Sequence, residues 1–225
     1  YHFNSFNFPI PGTKDAGFDE EYKKLFRETF LKKVAHLKKK GWLRWAYCYW
    51  IDEPRREKYE FVKSGLALLK DECPGLKRLL TLHIEKSPNK TFEGLVNLWV
   101  PCFHCFDSAG SRKAKERGEE VWWYVCTIPR SPYPNNFIDY PAIDHRIRFW
   151  MIQKYDVDGD LYWATTCWRD PYGDPMTDSE HRLGNGDGRL LYPPSREKPA
   201  QPLIAGPVNS LRWELIREGL EDREY

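Results

Sequence analysis

The chain has 225 residues, with 35 Lys and Arg against 33 Asp and Glu and a net charge of +2. That length can bury a full core, hydrophobic and charged fractions of 41% and 30% suit a globular chain, and no apolar run reaches the roughly 20 residues that span a bilayer. Both signs of charge are interspersed, which leaves no electrostatic footprint for nucleic acid or an acidic lipid surface.

The chain opens on Tyr1 rather than Met, the mark of a processed or excised piece, so the lack of a leader says nothing of compartment. Residues 1–18 read as a loop and the remnant of an upstream β/α unit. Over 19–40, Phe26, Phe30, Val34 and Leu37 recur at helical spacing before Gly41. The aromatic run 45–51 predicts a buried strand that stops at Asp52-Glu53-Pro54. A helix over 55–71 follows, with Tyr59, Val62, Leu66 and Leu69 on one face. Further strands are predicted at 79–82, 95–100, 121–126 and 161–164, and further helices over 108–118, over 141–154 and from Val208 onward. The Gly, Pro and Asp-rich stretch 169–207 reads as a long loop.

Near-continuous apolar strands alternating with amphipathic helices imply a parallel sheet covered by helices. No Gly-rich dinucleotide fingerprint follows any strand, which favours a (β/α)8 TIM-type barrel over a doubly wound sheet. Residues 19–225 are expected to be the C-terminal part of such a barrel, about five β/α units, with roughly three units missing.

Barrel active sites lie at the C-terminal ends of the strands. Those ends carry Asp52 and Glu53, then His83, Trp99, Arg130, Trp168 and Asp170. Neighbouring residues in a regular strand point to opposite faces, so Asp52 and Glu53 reach one site only where the strand stops, and Pro54 marks that stop. Two crowded carboxylates repel, which favours a proton held by one of them for general-acid work. An acidic start to the 55–71 helix, complementing its dipole, is the other reading of the pair, and spacing alone leaves both open. Trp99, Tyr124, Tyr133, Trp163 and Trp168 lie near strand ends or in following loops, and two or three of them are expected to be sugar platforms. Asn185 and Asp187, in Gly184-Asn185-Gly186-Asp187-Gly188, are candidates for contacting hydroxyls. Acids, flat rings and hydrogen-bonding groups together are a glycosidase's inventory.

Other motifs point to no metal or cofactor. Cys102-Phe103-His104-Cys105 has the spacing of half a zinc site, but no second pair completes it. Asp156-Val157-Asp158-Gly159-Asp160 lacks the glycine and glutamate positions of a calcium loop and reads as the turn before a strand. The six cysteines form no dense disulfide framework.

The run Tyr49-Trp50-Ile51-Asp52-Glu53-Pro54, with Leu98-Trp99-Val100-Pro101, Gly118 through Tyr124, Pro141 through Arg146, Gly159 with Leu161-Tyr162-Trp163, Gly184 through Gly188, Leu191-Tyr192-Pro193 and Gly206 through Asp222, resembles the catalytic domain of glycoside hydrolase family 123. The resemblance implies a retaining exo-β-N-acetylgalactosaminidase of the β-N-acetylhexosaminidase type on a β/α barrel. Its catalysis would be substrate-assisted, with the 2-acetamido oxygen attacking the anomeric carbon. Glu53 would be the general acid and then base, and Asp52 would orient the acetamido group. The implied partner is a terminal β-linked N-acetylhexosamine on a glycan or glycolipid, with no nucleic acid or membrane partner. The missing N-terminal part of the barrel would complete the chain, and a secreted or periplasmic setting would follow. A non-catalytic carbohydrate-binding or structural barrel is the alternative.

Overall fold

The computed structural model describes residues 4–12, 17–168, 173–178, 184–194 and 206–224. The chain divides into two compact units, Tyr1–Pro101 with Cys105–Trp122, and Cys102–His104 with Trp123–Tyr225.

In the first unit β1 (Phe6–Asn7), β2 (Ala46–Tyr49), β3 (Lys77–Leu82), β4 (Leu98–Pro101) and β5 (Glu120–Val125, which runs into the second unit) pair in chain order. All four pairings are parallel, with Phe6 opposite Ala46, Tyr49 opposite Leu79, Leu82 opposite Pro101 and Trp99 opposite Val121. Helices occupy three of the four crossovers, and the one from β3 to β4 is a loop. Helix α1 (Glu20–Leu25), a π-helical turn at Phe26–Phe30 and α2 (Leu31–Lys39) lead to β2, α3 (Tyr59–Glu72) leads to β3, and α4 (Ser108–Glu116) leads to β5. A strand order that never reverses is the singly wound pattern of an α/β barrel, since a doubly wound sheet reverses at its switch point. The sheet contains the five predicted strands plus β1, too short to show periodicity.

Burial explains why the strands lack alternation. From Arg78 on, every β3 residue is buried, as is all of β4, so apolar residues follow one another without a polar face between them. Asp19 caps α1, its carboxylate accepting the Tyr22 N–H at 2.8 Å. The π-helical turn buries Phe26 and Phe30, whose rings stack at 4.6 Å in a cluster with Trp50, Leu69 and Leu76. Gly65 lets α3 close on that cluster, because a Cβ there would fall 1.7 Å from the Trp50 ring.

In the second unit, α5 (Ala142–Lys154), β6 (Gly159–Tyr162) and α6 (Leu211–Glu224) are the main elements, and the strand order runs on from β5 to β6. Helices α5 and α6 pack together at Gly219, where a Cβ would meet Phe149 at 2.7 Å. Strand β7 (Leu191–Tyr192), inside the stretch predicted as loop, pairs antiparallel with β8 (Val208–Asn209), so the helix predicted from Val208 begins only at Leu211. No helix among the described residues is long and apolar enough to cross a membrane.

Candidate active site

Strand β2 ends at Tyr49, and Trp50 turns back into the core, 4% exposed. Residues 51–53 form a bend, and Glu53 takes φ +43°, a left-handed conformation that L-residues adopt at a cost of about 1–2 kcal/mol. That conformation swings the Glu53 side chain out of strand alternation, and Asp52 and Glu53 line one cleft of about 590 Å³ with His83, Arg55 and Arg56. The pair stands clear of α3, whose first turn carries Glu60, so it is not that helix's acidic start.

Neighbouring strands hold the bend. The Glu53 N–H donates to Thr81 Oγ1 at 2.9 Å. The Tyr49 hydroxyl donates to Asp52 Oδ1 at 2.5 Å, and Thr81 donates to the same oxygen at 3.3 Å. Thr81 is 1% exposed on β3, directly across from the bend. Burial, reinforced by the Asp52 charge, pushes the Tyr49 phenol well above its usual range, so it remains a proton donor. His83, just past the end of β3, places Nδ1 3.4 Å from Glu53 Oε2. On the rim, Glu85 accepts the Tyr59 hydroxyl at 3.0 Å and stands 3.6 Å from the Arg56 guanidinium.

Sequence reasoning passed over Tyr49 and Thr81 as site residues. A lone hydroxyl in Leu79-Leu80-Thr81-Leu82, one residue before the strand's C-terminal end, was the available signal.

The other predicted site residues have varied surroundings. Trp99 presents no face to a sugar: it is wholly buried in the first unit's core, and its Nε1 donates to Glu119 at 2.8 Å. In the second unit Tyr124 is 4% exposed and is likewise a packing residue. Any single aromatic near a strand end is more often packing than platform, and the burial of these two agrees with that. Asp187, 1% exposed, accepts the Tyr162 hydroxyl at 2.8 Å and the Trp163 Nε1–H at 3.0 Å, so its carboxylate orients both rings. Trp163 itself is 40% exposed, its ring lying over Gly188, where a Cβ would sit 2.4 Å from it. Trp168 is half-buried and donates to the Leu191 carbonyl at 2.8 Å. Tyr133 is exposed, edge-on to Phe103, and Asn185 is half-buried in the turn before Asp187, its backbone carbonyl accepting from Ile138. Arg130 stacks over the Phe137 ring at 4.1 Å, and Asp170 lies outside the described residues. Among the described residues no three His, Cys, Asp or Glu side chains gather as a metal site requires.

The family model for the glycoside hydrolase 123 catalytic domain matches residues 12–225. A solved family 123 glycoside hydrolase from Clostridium perfringens, described in terms of glycolipid glycan hydrolysis, superposes with a TM-score of 0.69 at 17% identity, over 91% of this chain and 35% of that one. The chain thus spans about a third of that protein's length. An endo-β-1,4-mannanase from Thermotoga petrophila aligns over 93% of this chain and 52% of its own, at 16% identity and a TM-score of 0.45. No curated protein matches. With a singly wound parallel sheet and an acid pair at the end of β2, the chain belongs to glycoside hydrolase family 123, as part of its catalytic domain.

Proposed function

We propose that the protein hydrolyses terminal β-linked N-acetylhexosamines, as a retaining exo-β-N-acetylgalactosaminidase in which Glu53 moves the proton and Asp52 steers the acetamido group. The observation that carries this reading is the left-handed turn at Glu53, which sets two sequence neighbours into one cleft. On a pyranose the acetamido nitrogen and the leaving oxygen sit on adjacent carbons, so adjacent carboxylates match the task.

In the first half-reaction the acetamido carbonyl oxygen bonds to C1 as the glycosidic C1–O bond breaks, and Glu53 gives its proton to the departing oxygen. Asp52 accepts the acetamido N–H and stabilises the positive charge of the oxazolinium. In the second, Glu53, now a carboxylate, takes a proton from water as that water attacks C1 and the acetamide re-forms. Two inversions leave the configuration retained. His83, beside Glu53 Oε2, faces the carboxylate that the first step leaves behind. Trp163, with its ring oriented by Asp187, is proposed as a sugar platform, alongside Tyr133, Trp168 and Asn185. The proposed frame is a closed (β/α)8 barrel, completed by further strands of the same protein. The glycan of a glycolipid, the substrate context of the Clostridium relative, is the proposed natural target.

The test is release of the aglycone from an aryl β-N-acetylgalactosaminide by the full-length protein. Glu53→Gln is expected to cost about 10²–10⁴-fold in rate, most for poor leaving groups. An unchanged rate refutes the role of Glu53. Sugar binding by calorimetry without turnover favours the carbohydrate-binding alternative.

A further inference from the structure

We infer that Tyr49 and Thr81 are positioning residues that form a two-hydroxyl clamp on Asp52 Oδ1, reserving Oδ2 for the substrate and tying the two acids into one rigid unit. The inference rests on the proposed glycosidase reading and assigns it a device that the acid pair alone does not contain.

The clamp follows from proton counting. Tyr49 has a single hydroxyl proton and directs it to Asp52 Oδ1 at 2.5 Å. Thr81 has one proton to give and lone pairs to receive. It takes the Glu53 N–H at 2.9 Å and gives to Asp52 Oδ1 at 3.3 Å, with the Tyr49 oxygen 3.1 Å away. Both donors therefore converge on the same carboxylate oxygen, and no hydrogen bond to Oδ2 is present among the described residues. A carboxylate held by one oxygen keeps its other oxygen at a fixed position on the cleft wall. Thr81 also holds the Glu53 backbone at the residue whose left-handed φ aims its side chain. One buried hydroxyl on β3 thus sets the spacing of both acids, and displacement by about 1 Å of such groups costs about 10²-fold in rate.

The experiment uses the full-length protein with Tyr49→Phe, Thr81→Val and Thr81→Ser, each alone and in an Asp52→Ala background. Tyr49→Phe is expected to lower kcat on the aryl N-acetylgalactosaminide about 10²-fold with KM little changed, because placement is lost while the sugar-binding groups remain. Thr81→Val should lose more, since it also releases the Glu53 N–H, and Thr81→Ser should restore most of the rate. In the Asp52→Ala background Tyr49→Phe should add little, because a residue that acts through Asp52 has nothing left to position. Equal losses from Tyr49→Phe in both backgrounds, or a rate within twofold of the parent, overturn the clamp. A readout independent of turnover separates this from failure of the glycosidase reading. Proton NMR should show a slowly exchanging hydroxyl resonance that vanishes in both Tyr49→Phe and Asp52→Ala and persists in Glu53→Gln. If no substrate turns over, persistence of that resonance in Asp52→Ala still overturns the clamp, whereas its loss upholds it.

Discussion

The two units solve the problem of burying a chain in opposite ways. The first spends its backbone hydrogen bonds on a parallel sheet, so its core is almost wholly apolar: Phe26, Phe30, Leu66, Leu69, Leu76, Leu79 and Trp99 are each at most 2% exposed. Buried charge is rare there, Arg78 alone in β3 serving the Leu95 carbonyl at 2.6 Å, and Asp52 and Glu53 stand at a strand end in contact with solvent in their cleft. The second unit is rich in turns, and turns leave carbonyls that no ladder satisfies. Buried arginines take over that role. Arg212, 5% exposed, donates to the carbonyls of Asn136, Gly186 and Arg189 and to the Tyr192 hydroxyl. Arg189, wholly buried, serves Cys167, Asp178 and Gly173. Arg148 pairs with Asp160 at 3.0 Å and donates to Asn136 at 3.0 Å. Burial pushes the Asp160 carboxyl up, and the Arg148 guanidinium opposes that shift. A guanidinium suits this work because its fixed fork of five N–H donors can serve several acceptors at once.

If arginine stands in for a ladder, its removal should be the costliest change in the second unit. Arg212→Met fills similar space but leaves buried carbonyls without donors, and it is expected to lower unfolding free energy by about 3–5 kcal/mol in chemical denaturation. A loss under about 1 kcal/mol would show that water replaces the guanidinium, and the contrast between the units would lapse.

The contrast also predicts a pH dependence. His145 is 2% exposed, and burial, then the Arg212 and Arg148 charges, push its pKa down to about 4. The unfolded chain binds a proton near the ordinary histidine value while the folded chain refuses it. Stability is therefore complete above about pH 6.5 and falls as pH drops towards 4, by about 3 kcal/mol in all. Thermal unfolding followed from pH 7 to 4 should show this slope, and His145→Gln should flatten it.

The smallest effect belongs to the apolar unit, where geometry rather than charge sets the limit. Gly65→Ala would ordinarily stabilise a helix interior, but its Cβ would fall 1.7 Å from the Trp50 ring. Overpacking of this kind should cost about 1–3 kcal/mol, and a gain in melting temperature would show that Trp50 has room to move.

Much of the first unit was legible in sequence because helical period and apolar strands are local signals. The run 45–51 ending at Asp52-Glu53-Pro54 placed the acids at a strand end, as β2 and its bend do. The second unit was less legible. Pairing of β7 with β8 joins residues about 17 apart, with no alternation in two-residue strands to reveal it. Nor could chain position separate Trp99, buried under helices, from Trp163, whose ring stays exposed.

The sequence by itself determined the alternation of strands and helices, the place where β2 stops and the acids that follow it, all of which depend on residues close along the chain. Only the tertiary structure decided that Thr81, on another strand, holds both acids, that Asp187 serves Trp163, and that arginines serve the turns of the second unit. Those choices depend on which hydrogen-bond partners remain once the chain is packed, and distance in sequence carries no record of them.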